Sequence, residues 1–340
     1  MEQQAAGQTV PGSVTIRPPF DPEIEPILAA LESFPTLTSE SLATFRKLVS
    51  GPPPGVDPID FTVGGAVRVE ERQVPGPEGA PDITLVILRP SAGASGLPGI
   101  YHTHGGGMVA CNRFTGVDQF LPYVAEGKAA IVSVEYRLAP EHPDPAPVED
   151  CYAGLLWTAN HADELGIDAQ RLLIAGISAG GGLAAGVALL ARDRGFPTLS
   201  HQLLLCPMLD DRLETHSSRM LDGEGAWDRN DNLFGWNALL GSRRGGPDVS
   251  PYAAPARATD LSGLPRTYLE CGSADGLRDE TLTYAARLSQ AGVSVDLHLW
   301  GGGYHGFEAL APHAAISRAC LAARDEFMRR AIGPDGTCRT

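Results

Sequence analysis

The stretch Arg171-Leu-Leu-Ile-Ala-Gly-Ile-Ser-Ala-Gly-Gly-Gly182 joins an apolar run, a Gly-x-Ser-x-Gly turn and a series of small residues. The apolar run Leu172–Ala175 predicts a buried strand, and the small residues that follow the serine predict a helix. A chain that reverses this sharply leaves no room for side chains on either side of Ser178, which explains Gly176 and Gly180. The pattern therefore predicts that Ser178 is a nucleophile raised above the end of a sheet.

The same glycines also fit the G-x-G-x-x-A pattern of dinucleotide-binding loops, over Gly180–Ala185. That pattern expects an acidic residue at the end of the next strand, about 20 residues further on. The first acids after the strand predicted near residues 202–208 are Asp210 and Asp211, later than expected, and the motif lies in the middle of the chain. The sequence therefore favours a nucleophile over a dinucleotide site.

A second glycine-rich motif, His104-Gly-Gly-Gly107, follows an earlier predicted strand. Three glycines leave backbone N–H groups uncovered, and such groups stabilise the negative charge that develops during acyl transfer. We expect Gly106 and Gly107 to form an oxyanion hole together with the N–H of Ala179. His104 and Gly105 are expected to support the motif, as Gly176 and Gly180 support the serine turn.

A serine hydroxyl needs a neutral imidazole as base and a carboxylate that orients it. His305 lies in a glycine-rich loop directly after the last apolar strand. Asp275 precedes a predicted helix, whereas Asp279 and Glu280 fall in its first turn, where acids favour the helix dipole for structural reasons. The order Ser178, Asp275, His305 is that of α/β-hydrolases. Three other histidines lie in helix or strand-edge contexts that favour packing or solvation: His161, His201 and His313.

Strand patterns alternate with helix patterns along most of the chain, which predicts an α/β fold with a mostly parallel sheet covered by helices on both faces. The opening pair of strands is expected to be antiparallel and to lie at an edge. The predicted strands are Val67–Val74, Ile83–Leu88, Gly99–His104, Ala130–Arg137, Leu172–Gly176, Gln202–Cys206, Arg266–Glu270 and Val295–Trp300. The main predicted helices are Val148–Asn160, Ala179–Asp193, Arg278–Gln290 and Ala314–Arg330.

The chain is expected to divide into N-terminal cap helices at 1–55 and a catalytic domain at 56–340, with a helical cap insertion at about 211–250. The N-terminal part carries two helical patterns, at 26–32 and 41–49, before Gly51-Pro-Pro-Pro-Gly55. The insertion holds Trp227, Phe234 and Trp236, which are expected mainly to pack.

The composition excludes several classes of function. The chain has 340 residues, of which 43% are hydrophobic, and a formal net charge of −15. This charge disfavours nucleic acid and anionic membrane as partners. A cytoplasmic protein is expected, because the sequence shows neither a signal-peptide pattern nor a run of about 18 apolar residues. The six cysteines form no C-x-x-C pair and no cluster with histidine, so we expect reduced thiols and no metal.

Six motifs in order resemble the hormone-sensitive-lipase family of α/β-hydrolases, the bacterial family IV esterases, over about residues 65–330. Further stretches at 211–215 and 252–260 are similar to the branch that contains bacterial heroin esterase. The motifs are His104-Gly-Gly-Gly107, Glu135-Tyr-Arg-Leu-Ala-Pro-Glu141, Pro145-Ala-Pro-Val-Glu-Asp150, Gly176-Ile-Ser-Ala-Gly-Gly181, Asp275-Gly-Leu-Arg-Asp-Glu280 and His305-Gly-Phe307.

The resemblance implies a serine carboxylesterase that hydrolyses short-to-medium acyl esters through an acyl-enzyme, without a cofactor. It also implies the helical cap and supports the triad and the oxyanion hole. Homodimers are common in the family, so a homodimer is expected by analogy. Amide hydrolysis, lactone hydrolysis and acyl transfer use the same catalytic residues and stay open as alternatives. A non-catalytic role in binding a small molecule is a further alternative, and the intact triad argues against it.

Three positions depart from the family pattern. Ile177 replaces the usual Asp or Thr before the nucleophile, which alters the polar support beneath the turn. Met108 replaces the usual aromatic residue after the three glycines, and Asp144 stands where an aromatic residue is often found. We expect the last two changes to alter the shape of the acyl or alcohol pocket.

Overall fold

A computed structural model describes residues 16–31, 36–51 and 57–334 of the chain. Its centre is one eight-stranded sheet with the order β1-β2-β4-β3-β5-β6-β7-β8. The strands are β1 (Val67–Val74), β2 (Ile83–Pro90), β3 (Leu97–Thr103), β4 (Ala130–Glu135), β5 (Ile167–Ile177), β6 (His201–Leu205), β7 (Arg266–Gly272) and β8 (Val295–Trp300).

Helices precede, connect and follow these strands, and short 3₁₀ turns lie at Asp118–Phe120, Gly241–Arg243 and Pro255–Arg257. The α-helices of the described residues are α1 (Glu25–Leu31), α2 (Leu42–Val49), α3 (Leu121–Ala125), α4 (Ala146–Asn160), α5 (Ala162–Leu165), α6 (Ala179–Arg194), α7 (Ser217–Met220), α8 (Arg229–Leu240), α9 (Arg278–Gln290), α10 (Phe307–Leu310) and α11 (Ala315–Ala331).

The sheet has the predicted architecture. Strand β2 pairs antiparallel with β1 and with β4, and every other pair is parallel. One large apolar cluster joins the sheet to α4, α6 and α9, and a second joins it to α3 and α11. The strands are therefore buried between helices on both faces, as long apolar strands require. The predicted α/β-hydrolase fold is confirmed.

Several predicted strand bounds were wrong for local reasons. Strand β5 begins at Ile167, ahead of the predicted start, because Ile167 pairs with Leu97 before a shift in register that precedes Leu172. The polar residues Asp168, Gln170 and Arg171 hide this segment in the sequence. Strand β4 ends at Glu135, before the predicted end at Arg137, because the Arg137 N–H donates to the Asp150 carboxylate at 3.0 Å and not to a neighbouring strand.

The two predicted cap regions contain helices. In the N-terminal region, α1 and α2 occupy the predicted helical patterns, while residues 1–15, 32–35 and 52–55 lie outside the described residues. The segment 211–250, described throughout, contains α7 and α8 and no strand. The two regions touch, because the Leu37 N–H donates to the Asp231 carboxylate of α8 at 2.9 Å. No helix of the described residues is long and apolar enough to span a membrane.

Candidate active site

Ser178 lies at the turn between β5 and α6 with a strained backbone. Its φ of 58° and ψ of −124° are rare for a residue with a side chain. Two hydrogen bonds hold this conformation, one to the end of β6 and one to the segment after it: the Ser178 N–H donates to the Leu205 carbonyl at 2.8 Å, and the Met208 N–H donates to the Ser178 carbonyl at 3.0 Å. The strain is thus maintained by the sheet, which is typical of functional turns.

The glycines around Ser178 allow a close approach of backbone segments. A β-carbon on Gly176 would lie 2.2 Å from the Gly180 carbonyl oxygen, and one on Gly180 would lie 2.1 Å from the Thr103 carbonyl oxygen. A β-carbon on Gly182 would similarly lie 2.0 Å from the Met208 carbonyl oxygen. The glycine run that matches a dinucleotide pattern therefore serves to pack α6 against the strand ends.

His305 connects the serine to a buried carboxylate. Its Nε2 lies 2.9 Å from Ser178 Oγ, and its Nδ1 lies 2.9 Å from Asp275 Oδ2. The Asp275 side chain is fully buried, and its other oxygen accepts the Leu277 N–H at 2.9 Å. With the proton on Nδ1 donated to Asp275, the Nε2 lone pair faces the serine hydroxyl, which is the tautomer that a general base requires.

The acids near Asp275 have other partners. Asp279 accepts the Ser217 N–H at 2.7 Å and pairs with Arg278 at 2.7 Å. The Glu280 carboxylate accepts hydrogen bonds from the backbone N–H groups of residues that follow β6, among them Leu209 at 2.7 Å. The structure therefore brings Asp275 to His305 and directs Asp279 and Glu280 elsewhere.

The surroundings of His305 pull its pKa in opposite directions. Burial lowers the pKa of His305, whereas the Cys206 sulfur and the Asp275 carboxylate raise it, and the net direction is upward. Burial raises the pKa of Cys206 to about 11, so its thiol is neutral near neutral pH. The upward effect then comes from the Asp275 carboxylate, which stabilises the imidazolium.

Cys206 lies next to the catalytic residues, and the sequence analysis did not predict this position. Its sulfur lies within 4.8 Å of ligand-type atoms of both Asp275 and His305. The residue directly follows β6, and its φ is 36°. The chain shows no cysteine–histidine cluster in sequence because this cluster forms where the ends of β6, β7 and β8 meet. The position of Cys206 could have indicated this contact, because Cys206 ends the predicted strand that follows the strand of Ser178 in the chain.

The glycine motif before the serine forms a tight turn. Gly106 and Gly107 have φ values of 106° and 62°, which favour glycine. Among the described residues, neither of their N–H groups donates to a protein acceptor. The His104 ring stacks on Tyr136 at 4.1 Å, and the Tyr136 hydroxyl donates to the His104 carbonyl at 2.9 Å. Burial lowers the pKa of His104 to about 4, so this ring is a neutral support.

Trp227 is the aromatic residue of the segment 211–250 that borders the triad. A β-carbon on Gly107 would lie 2.4 Å from the outer edge of the Trp227 ring. The ring centre lies 6.4 Å from that of His305. Trp236 is fully buried and Phe234 packs against the same apolar cluster, as expected for packing residues. Trp227 both packs and covers the site.

The remaining family motifs support the site through ion pairs. Arg137 pairs with the buried Asp150 at 2.7 Å. Glu141 pairs with Arg46 of α2 at 2.7 Å, and the Arg46 side chain also donates to the Val109 carbonyl beside the glycine motif at 2.6 Å. Helix α2 is thereby attached to the loop that follows the three glycines.

The structure shows the contacts of the three residues that depart from the family pattern. Met108 is fully buried, and Ile177 packs between the glycine motif and the second apolar cluster. Asp144 pairs with Arg243, just after α8, at 2.9 Å. Their effect on the pocket stays a prediction.

Comparison with known families matches residues 100–309 to the alpha/beta hydrolase fold, and the chain belongs to this family. The resemblance to the hormone-sensitive-lipase family is thereby confirmed.

The structure is similar to that of bacterial heroin esterase, with a TM-score of 0.83 and 40% identity over 92% of this chain and 98% of that one. It is also similar to esterase LipW from Mycobacterium marinum, with a TM-score of 0.78 and 34% identity over 95% and 100% of the two chains. The sequence is 36% identical to carboxylesterase NlhH of Mycobacterium tuberculosis, over 86% of this chain and 92% of that protein.

Proposed function

We propose that this protein is a serine carboxylesterase that hydrolyses short-to-medium acyl esters. The observation that carries the proposal is the hydrogen-bonded chain from Asp275 through His305 to Ser178, in which both contacts measure 2.9 Å. The names of the similar proteins, a carboxylesterase and two esterases, support an ester as the substrate class.

In the first step, Ser178 Oγ attacks the ester carbonyl carbon while its proton passes to His305 Nε2. Asp275 orients the imidazole and stabilises the imidazolium that forms. The tetrahedral intermediate then collapses, the bond to the alcohol oxygen breaks, and His305 returns the proton to that oxygen. An alcohol leaves and the acyl group stays on Ser178.

In the second step, a water molecule attacks the acyl carbon and gives its proton to His305. Collapse of this intermediate breaks the bond to Ser178 Oγ, and His305 returns the proton to the serine. One ester and one water become one acid and one alcohol, so the enzyme ends in its starting state.

The negative charge of both intermediates is assigned to the N–H groups of Gly106, Gly107 and Ala179. The first two have no protein acceptor among the described residues, and Ala179 is the first residue of α6, whose N–H has no acceptor within the helix. Removing one donor of this kind costs about 3 kcal/mol of transition-state stabilisation.

The preference for short acyl chains is supported by how little of the triad is exposed. Ser178 is 7% exposed and the His305 side chain 11%. The Trp227 ring covers Gly107, and the helices α1, α2, α7 and α8 form the proposed cap. A covered site of this kind favours small acyl groups over long chains.

The test is hydrolysis of p-nitrophenyl esters from acetate to palmitate by the wild type and by Ser178→Ala. We expect turnover that is greatest for short chains and nearly absent in Ser178→Ala, because the nucleophile is lost. Ser262→Ala, which changes an exposed serine, is the control and should match the wild type. Substantial turnover by folded Ser178→Ala would contradict the mechanism. Turnover of amides or lactones alone, or acyl transfer to an alcohol, would reassign the substrate.

A further inference from the structure

A cluster of buried charges lies beside the site, and the reaction steps above do not use it. Arg324 of α11 has a side chain that is 6% exposed, and its Nη2 donates to carboxylates of Glu270 and Glu308. The distance to Glu308 is 2.9 Å, and the side chains of the two acids are 4% and 6% exposed. One guanidinium therefore lies between two carboxylates in the interior of the protein.

The two carboxylates belong to the chain segments that carry the other two members of the triad. Glu270 is on β7, the strand that leads into the loop of Asp275. Glu308 is in the first turn of α10, which directly follows the loop of His305. Arg324 thus connects β7, which leads into the loop of Asp275, with α10, which follows the loop of His305.

The loop of His305 needs support on both sides because it is rich in glycine. Before the histidine, the Gly303 carbonyl accepts the Ala274 N–H at 2.9 Å, which ties it to the loop of Asp275. After the histidine, Gly306 has a φ of 69° and directly precedes α10, a helix of only four residues. A helix of that length is not stable by itself. The Glu308–Arg324 pair and the buried Phe307 therefore hold this side.

The other partners of the cluster hold it in one geometry. The Tyr268 hydroxyl donates to the second oxygen of Glu270 at 2.5 Å, and Arg324 Nη1 donates to Gln119 at 2.7 Å. Buried ion pairs contribute little net stability, because removing the charges from water costs about as much as their attraction returns. Their best-supported role is to specify one arrangement of the chain.

We propose that Arg324 is a positioning residue, which through Glu308 and Glu270 fixes His305 at the distance from Asp275 and Ser178 that proton transfer requires. Arg324 touches neither Ser178 nor the imidazole, so its effect is on rate and not on substrate binding. This inference rests on the proposed role of the triad.

The test compares Glu308→Ala with Glu308→Gln. Removal of the carboxylate leaves the Arg324–Glu270 pair intact and removes the ion pair that holds α10, while Phe307 stays buried. We expect kcat to fall about tenfold to a hundredfold with KM within about twofold, since small misplacements of reacting groups have effects of this size. Glu308→Gln retains an oxygen that accepts from Arg324 and should recover most of kcat. The rate at which a p-nitrophenyl phosphonate labels Ser178 should fall in the same ratio as kcat, because labelling uses the same base.

Arg329→Met is the matched control, because Arg329 lies on the same helix and pairs with Asp325 at the surface. It should leave kcat and the labelling rate unchanged. The melting temperature of each variant is measured, and rates are compared where all are folded. If Glu308→Ala does not fold, Glu308→Asp replaces it, since the shorter side chain weakens the contact with the charge retained.

Wild-type kcat and labelling in the Glu308 variants, even with a lower melting temperature, would overturn the proposal and leave a structural role. A rise in KM alone would also overturn it. Failure of the proposed function is distinguishable, because it would appear as turnover by Ser178→Ala and not as a change among the Glu308 variants.

Discussion

At the scale of single residues, Asp275 and Asp279 lie close together in sequence but face different partners. Asp275 contacts the imidazole at 2.9 Å, whereas Asp279 accepts the Ser217 N–H at 2.7 Å. We expect Asp275→Asn to lower kcat by about ten-thousand-fold, because an amide favours the wrong tautomer of the histidine. Asp279→Asn should cost less than about tenfold, because it disturbs only the attachment of α7. Steady-state kinetics of both variants on p-nitrophenyl acetate provide the measurement.

The two variants control for each other, since both remove one negative charge near the end of β7. A larger loss in Asp279→Asn than in Asp275→Asn would reassign the orienting acid.

The pH dependence of the rate belongs to the same scale. The pKa of His305 is raised above its ordinary value, and the protonated ring cannot accept the serine proton. kcat/KM should therefore be full above the pKa of His305 and fall by about tenfold per pH unit below it. The profile of kcat/KM is measured on p-nitrophenyl acetate from about pH 3 to pH 9.

Other groups would give a different midpoint. Burial lowers the pKa of His104 to about 4 and raises that of Asp231 to about 6. A midpoint of about 4 or about 6 would count against His305 as the titrating group, and loss of the midpoint near 6 in Asp231→Asn would assign it to Asp231. A rate that is flat from about pH 5 to pH 8 would count against His305 as the base.

Most site residues could be predicted because local motifs encode them. Three motifs indicate their chemistry within a few positions of sequence. They are the Gly-x-Ser-x-Gly turn, the three adjacent glycines and the histidine after the last strand. Cys206 and Arg324 could not be predicted in this way, because their partners are distant in sequence. Cys206 reaches His305 only where strand ends meet, and Arg324 reaches Glu270 and Glu308 only once α11 packs on the sheet.

At the scale of secondary-structure elements, the position of α6 decides the geometry of the nucleophile. A β-carbon at Gly180 would lie 2.1 Å from the Thr103 carbonyl oxygen and 2.5 Å from that of His104. Gly180→Ala should therefore push α6 away from β3, lower the free energy of unfolding by about 1–3 kcal/mol and reduce kcat. Thermal unfolding and steady-state kinetics measure the two effects.

Gly51→Ala is the control for this prediction, because a β-carbon there would meet no atom of the described residues within 4 Å. It should change neither quantity. Wild-type stability and rate in Gly180→Ala would show that α6 does not need this close contact.

The elements themselves were predicted best where the sequence pattern ends abruptly. Strands β1 and β8 and helix α9 have the predicted bounds. The start of β5 was missed because Asp168, Gln170 and Arg171 interrupt its apolar pattern between Ile167 and Leu172, the residues that pair with β3. Short helices such as α5 and α10 are set by packing and not by periodicity. Element bounds therefore follow the sequence only where local preference and tertiary contacts agree.

At the scale of the whole molecule, the parallel strands bring the three triad residues to one end of the sheet. Ser178 follows β5, Asp275 follows β7 and His305 follows β8, so distant parts of the chain meet at the carboxyl ends. The alternation of strands and helices made this meeting predictable. The fine shape of the covered site was not, because it depends on how the segment 211–250 seats Trp227.

The division into cap and catalytic domain is a prediction at this scale, and it rests on the positions of α1, α2, α7 and α8. A homodimer stays a proposal by analogy; strand β8 is an edge of the sheet and exposes Leu297 and Leu299, each more than 40% accessible. Such an edge is a suitable surface for a second copy.

The most direct test of the account is to find which residue a p-nitrophenyl phosphonate modifies in the intact protein. Peptide mass spectrometry should show one adduct per chain, on the peptide that contains Ser178, with loss of esterase activity in the same proportion. The adduct should be absent in Ser178→Ala and form far more slowly in His305→Ala. An adduct on Cys206 or any other residue, or full activity after labelling of Ser178, would contradict the account.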